Sequence, residues 1–311
     1  MTLAGSLHSR FRSALPPLVV AAWLVTLLAS YLPNAIWNQL VGPTPQWLFW
    51  GKAGLLSVLI ILGWAWKQIQ PLRAYVILLL TNVLLWRLLP WILSSPPLSR
   101  WAEQAPWAVG MLGIQLMKIG IAVLTIVVLL FVMRRRRDAF LGKGQLDAKA
   151  EPIGWLGLRS PVSWRILGPI VAVVGAAIML GVLAVTSQPS MSTLARALPL
   201  LPAAVLFSVT NAFSEEVSWR SSLLAPLHEV VGKGQAMALT AALFGLAHYA
   251  GGVPLATLPT ILMTGFLGWL MAKSMLETKG FLWARFIHFV IDIAVMVFLA
   301  MGSIFPAGQR G

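Results

Sequence analysis

The stretch FSEEVSWRSSLL, beginning at Phe213, places the adjacent carboxylates Glu215 and Glu216 just ahead of Arg220, in a chain with only nine Asp and Glu among 311 residues. On a helix Glu216 and Arg220 are one turn apart on one face, with the acid on the N-terminal side, the favourable order for an ion pair. Glu215 is turned about 100° from Glu216 at 3.6 residues per turn and cannot share the arginine equally. The spacing predicts one neutralised glutamate and one free to take or give a proton, with Asn211 a turn before Glu215 and able to hydrogen-bond it. Two more pairs have the same four-residue spacing: Phe244 with His248 in FGLAH, and His288 with Asp292 in HFVID. An aspartate one turn from a histidine can fix the ring orientation and tautomer. A carboxylate with two imidazoles is suited to activating water and protonating a leaving amine.

The elements carrying these residues are apolar. Hydrophobic residues make up 59% of the chain and charged residues 10%, against about 25% charged in soluble domains, and mean hydropathy is +0.83. These values predict an all-α membrane protein, a polytopic bundle of about nine transmembrane helices. The expected spans are 15–32, 47–66, 72–93, 107–133, 166–187, 198–224, 235–250, 254–276 and 281–304. No sustained two-residue period indicates a transmembrane barrel. The organisation expected is an N-terminal four-helix membrane region at 1–137, a cytoplasmic linker at 138–165, and a core with five membrane helices at 166–311. With no cysteine, disulfides, thiolate catalysis and cysteine-ligated zinc are excluded.

The formal charge of +14 is explained by topology rather than by nucleic acid. Arg10, Arg12, Lys67, the arginines at 134–137, Lys143, Lys149, Arg159, Arg165, Lys233 and Lys279 fall on one side of the expected spans. Only Arg100, Arg196 and Arg310 fall on the other. That asymmetry places the N-terminus inside and the C-terminus outside, in a multi-pass protein of the plasma membrane with the lipid bilayer as its surroundings. The basic, then apolar, N-terminus reads as a retained first span rather than a cleaved signal peptide. Many tryptophans flank spans, as interfacial anchors do. Lys52, Arg87 and Lys118 have no carboxylate near them in sequence and read as structural or snorkelling residues.

The three motifs resemble those of the CPBP intramembrane proteases, also called the ABI or CAAX prenyl protease 2-like family: EExxxR, FxxxH, and HxxxD or HxxxN on membrane helices. They occur here in that order, from Glu215 to Arg220, Phe244 to His248 and His288 to Asp292, and the resemblance covers about residues 155–305. It implies a glutamate-dependent intramembrane endopeptidase acting on a membrane-associated protein or peptide. Glu215 is then the base that activates water and His248 helps hold that water. His288 and Asp292 stabilise the oxyanion, while Glu216, Arg220 and Phe244 support the motif helices. No cofactor is required on this reading. The zinc alternative would use Glu215, His248, His288 and Asp292, but the HExxH helix of zincins is absent. A second reading keeps the same scaffold without catalysis, as a membrane scaffold or a bacteriocin-immunity type of protein.

The mechanism requires Glu215, His248 and His288 to converge. Counted at about 1.5 Å per residue from the expected inner helix ends, His288 and Glu215 lie about 10 and 13 Å deep, but His248 about 20 Å. The seventh helix must therefore start below the inner surface or tilt strongly.

Overall fold

The computed structural model describes residues 17–133, 139–249 and 254–304. Arg10, Arg12, the arginines at 134–137, Ala250 and Arg310 lie outside the described residues. The first half comprises α1 (Pro17–Ala29), α2 (Leu32–Leu40), α3 (Gln46–Ala65), α4 (Arg73–Leu93), α5 (Pro96–Gln104) and α6 (Trp107–Val132). The second begins with α7 (Trp164–Ser187), α8 (Met191–Ala197) and α9 (Leu201–Glu215). A π-helical turn (Glu216–Ser221) leads into α10 (Ser222–Val231), followed by α11 (Lys233–Ala247), α12 (Pro254–Thr278) and α13 (Leu282–Ile304).

The all-helical membrane architecture stands, but nine spans are not confirmed by the described helices. Among the described residues, six segments are long and apolar enough to cross a membrane, or seven if α1 and α2, bent by 53°, form one broken span. The predicted span 198–224 is the middle of a 41-residue helical run, Met191–Val231. At 15 residues, α11 reaches only about 22 Å, short of a hydrocarbon core of about 30 Å. Although α12 has 25 residues, it is not among the six.

The bundle exposes large apolar side chains and buries polar ones among an apolar core. Val173, Val185 and Phe131 are exposed, while Asn82, Gln115, Asn211, Glu216, Arg220 and His288 are buried, the arrangement that a lipid solvent favours. One apolar cluster joins Ala22 of α1, Leu78 of α4, Leu129 of α6, Leu227 of α10, Leu239 of α11 and Ile287 of α13. Both halves of the chain thus contribute to the same core.

The segment expected as a linker is docked against the core. Its strands β1 (Lys149–Ala150) and β2 (Val162–Ser163) pair antiparallel, and its backbone meets the α12–α13 junction. Gln145 N donates to Thr278 O at 2.7 Å, and Phe281 N donates to Gly142 O at 2.8 Å. Trp155 packs on Phe266 and Trp269, and the Trp164 indole donates to Glu277 at 2.8 Å.

Helices α11 and α12 approach backbone to backbone at Gly245, inside FGLAH. A Cβ there would lie 2.5 Å from the Ile261 carbonyl oxygen and 3.1 Å from Gly265 Cα. Gly245→Ala must push the helices apart. The expected cost is about 1–3 kcal/mol, the range for overpacking, read as a lower thermal unfolding midpoint in detergent.

Candidate active site

Gly232, with φ of +80°, caps α10 and starts α11, forming a helical hairpin that sets the register of two motifs. Arg220 precedes Gly232 by twelve residues and Phe244 follows it by twelve. The Arg220 guanidinium accordingly lies 4.0 Å from the Phe244 ring centroid, a cation–π contact. Glu215, 17 residues before the turn, and His248, 16 after it, come to one level by the same symmetry. The depth mismatch expected from the sequence vanishes because α10 runs to Val231 rather than ending near residue 224.

The π-helical turn lies within the first motif. A widened turn leaves the backbone ladder irregular and recurs at functional sites. Here a second helix supports it: Asn82 Nδ2 on α4 donates to Ser218 O at 2.7 Å and to Ser222 Oγ at 3.1 Å. Small buried residues at Ser218, Ser221 and Ser222 let α4 come close.

Arg220 and Glu216 form a fully buried ion pair through Nη1 and Oε1. Gly268 leaves space for the guanidinium: a Cβ there would be 3.3 Å from Nη2. The role expected for Glu216 is too narrow, because the same Oε1 also accepts from His288 Nδ1 at 2.7 Å. His288 Nε2 lies 3.8 Å from Glu215 Oε2 and 3.5 Å from Asp292 Oδ1. The hydrogen-bonded anchor of this ring is thus Glu216, while Asp292, one turn away, stands at the far nitrogen.

Glu215 is not unpaired. Lys118 of α6 donates to its Oε1 at 2.8 Å and to Asn211 Oδ1. Asn211 makes no hydrogen bond to Glu215 among the described residues. It links Lys118 to Asp292, donating from Nδ2 to Oδ2 at 2.8 Å. Lys118 is the neighbour of Glu215 that sequence reading misses, because the two are 97 residues apart. An ionisable residue in the middle of an apolar helix was the available signal. Lys118→Met leaves Glu215 without its cation in a mostly buried setting. An expected destabilisation of about 3 kcal/mol follows from breaking a buried pair, with Lys118→Arg recovering part of it in the same thermal assay.

His248, partly exposed, turns Nδ1 to its own helix and donates to Phe244 O at 2.8 Å, which leaves Nε2 free of that bond. The Phe244 ring separates the two imidazoles, with centroids 4.6 Å from His248 and 6.0 Å from His288. The third motif thus reaches Glu215 through His288, and the second packs against both others through the Phe244 ring. Among the described residues no three His, Asp or Glu side chains are arranged to hold a metal ion.

Residues 196–294 match the family model described as type II CAAX prenyl endopeptidase Rce1-like. All three motifs and the π-helical turn fall inside the matched segment, whereas Lys118 and Asn82 fall outside it. No curated protein and no solved structure gives a match.

Proposed function

We propose, from a chain whose match supports membership of the CPBP family, a specific chemistry within the CAAX protease-like intramembrane endopeptidases that this family represents. Glu215 activates water to hydrolyse a peptide bond in a membrane-associated protein or peptide. The observation that carries this is the setting of Glu215, which faces Lys118 with one oxygen and His288 with the other inside an apolar bundle.

Glu215, paired with Lys118, takes a proton from water while the oxygen attacks the scissile carbonyl carbon. His248, its Nδ1 held by the Phe244 carbonyl, offers Nε2 to position that water. The negative charge developing on the carbonyl oxygen falls to His288, which Glu216 orients from Nδ1 so that Nε2 points into the site. Such preplaced donors act most strongly where water is excluded. The proton then passes from Glu215 to the leaving nitrogen, the C–N bond breaks, and a carboxylate and an amine result. This sequence uses no metal. Lys233 at the α10–α11 turn and Lys279 at the α12–α13 junction support a cytoplasmic side for these helix ends.

The test compares membranes from cells carrying the wild type, Glu215→Gln or His288→Ala by mass spectrometry of new peptide termini. Termini present only with the wild type are expected. Identical termini in all three, with each variant folded, would leave the non-catalytic scaffold as the function.

A further inference from the structure

Lys118 belongs to none of the three motifs and lies outside the family-matched segment 196–294, yet its ammonium is hydrogen-bonded to Glu215 Oε1 at 2.8 Å. The two oxygens of Glu215 therefore differ. Oε1 is taken by Lys118, whereas Oε2 stands 3.8 Å from His288 Nε2, beyond hydrogen-bond reach. Oε2 is the oxygen open to water. An ammonium has three N–H bonds to donate. One goes to Glu215 and one to Asn211, and the third has no acceptor among the described side chains, with the Trp86 ring centroid 5.2 Å from Nζ. Both side chains keep some surface, 15% for Lys118 and 12% for Glu215, so a substrate can reach them.

Hydrolysis removes the charge that Lys118 is paired with. Once Glu215 has taken a proton from water its carboxyl is neutral, and Lys118 keeps only Asn211, a neutral acceptor. Asp292 does not take over, because Asn211 stands between the two, accepting from Lys118 and donating to Asp292 Oδ2 at 2.8 Å. An uncompensated ammonium inside an apolar bundle is costly, and the tetrahedral intermediate presents a nitrogen that must gain a proton to leave. We propose that Lys118 is the general acid of the reaction, giving the proton of its third N–H to the leaving nitrogen. The C–N bond breaks with its electron pair on that nitrogen, which departs as an amine carrying the Lys118 proton, and the carbonyl re-forms as a carboxylic acid. The proton held by Glu215 then crosses to the neutral Lys118 amine, which restores carboxylate and ammonium with no proton left over. The N-terminal half of the chain thus supplies a reacting group to the site and not only a scaffold. This inference rests on the endopeptidase reading and divides its proton transfer between two residues.

The leaving group tests this. Two reporters share the acyl sequence of a terminus that the wild type generates, one with a peptide bond and one with a p-nitrophenyl ester at the scissile position, and cleavage rates are measured on full-length protein in nanodiscs. An amine must be protonated to leave, whereas nitrophenoxide departs as an anion. Lys118→Arg keeps a cation and its N–H donors but cannot release a proton. It is expected to slow peptide-bond cleavage about 10²–10⁴-fold, the contribution of a general acid, while ester cleavage stays within about tenfold of the wild type. Lys118→Gln, smaller than arginine and still a donor, is expected to show the same split, so the result does not hang on how the guanidinium fits. An unfolding midpoint for each preparation sets the folded fraction. Glu215→Gln, which lacks the base, is expected to lose both reactions. Equal losses on the two reporters in Lys118→Arg and Lys118→Gln overturn the inference and leave Lys118 as a residue that positions Glu215. Unchanged peptide cleavage in Lys118→Arg overturns it as well, since a fixed cation then suffices. Peptide cleavage at the wild-type rate in Glu215→Gln is a separate outcome, which removes the endopeptidase reading itself and this inference with it.

Discussion

Glu215→Gln is expected to lower peptide-bond cleavage by about 10²–10⁴-fold, the contribution of a general base or acid. The amide keeps an oxygen for Lys118, now at 2.8 Å from Oε1, and Lys118 retains Asn211 as a second acceptor. The α6–α9 contact therefore persists while the group that accepts the proton of water is gone. Glu215→Asp separates charge from reach. It restores the carboxylate but withdraws it by one methylene, and misplacement by about 1 Å can cost about a hundredfold in rate. The expected order of activity is wild type, then Asp, then Gln, measured as the rate of cleavage of a membrane-inserted reporter peptide. A Gln variant within tenfold of wild type would remove Glu215 from the role of base.

What could be read from the sequence divides by distance along the chain. The pairing of Glu216 with Arg220 is a one-turn relation and is legible from spacing alone, as is the place of Phe244 against His248. The surroundings of Glu215 are not legible, because Lys118 and His288 reach it from α6 and α13 and only the packed bundle brings them together. The π-helical turn has no spacing signature in EVSWRS, and part of its support comes from Asn82, 136 residues away. Nine spans are not confirmed for a different reason: α11 has only 15 residues and α1 passes as a span only together with α2 across a 53° bend, and neither a helix's end nor its bend is legible from hydropathy. The segment 138–165 looks like a soluble connection by composition, yet its backbone hydrogen bonds tie it to the α12–α13 junction, a relation that composition cannot express.

Arg220→Met is expected to cause the largest loss of stability, about 3–5 kcal/mol, the usual cost of leaving one member of a buried ion pair alone. Arg220 is fully buried, and without it the Glu216 carboxylate keeps only His288, with its Oε2 already lacking a partner. The sharper experiment removes both charges. A buried pair replaced by apolar residues of similar volume is often neutral or stabilising, so Glu216→Leu with Arg220→Met is expected to recover much of the thermal stability that Arg220→Met loses. Activity must not recover with it, because the double variant also removes the oxygen that receives His288 Nδ1 at 2.7 Å, and the ring loses the hydrogen bond that aims Nε2 at Glu215. Unfolding midpoints in detergent and reporter cleavage in nanodiscs, measured on the same preparations, read the two effects separately. Restored stability with restored cleavage would show that Glu216 serves only as a counter-ion. Restored stability without cleavage makes Glu216 a positioning residue for His288, so that of the two adjacent glutamates one handles the proton and the other aims the group that receives the charge.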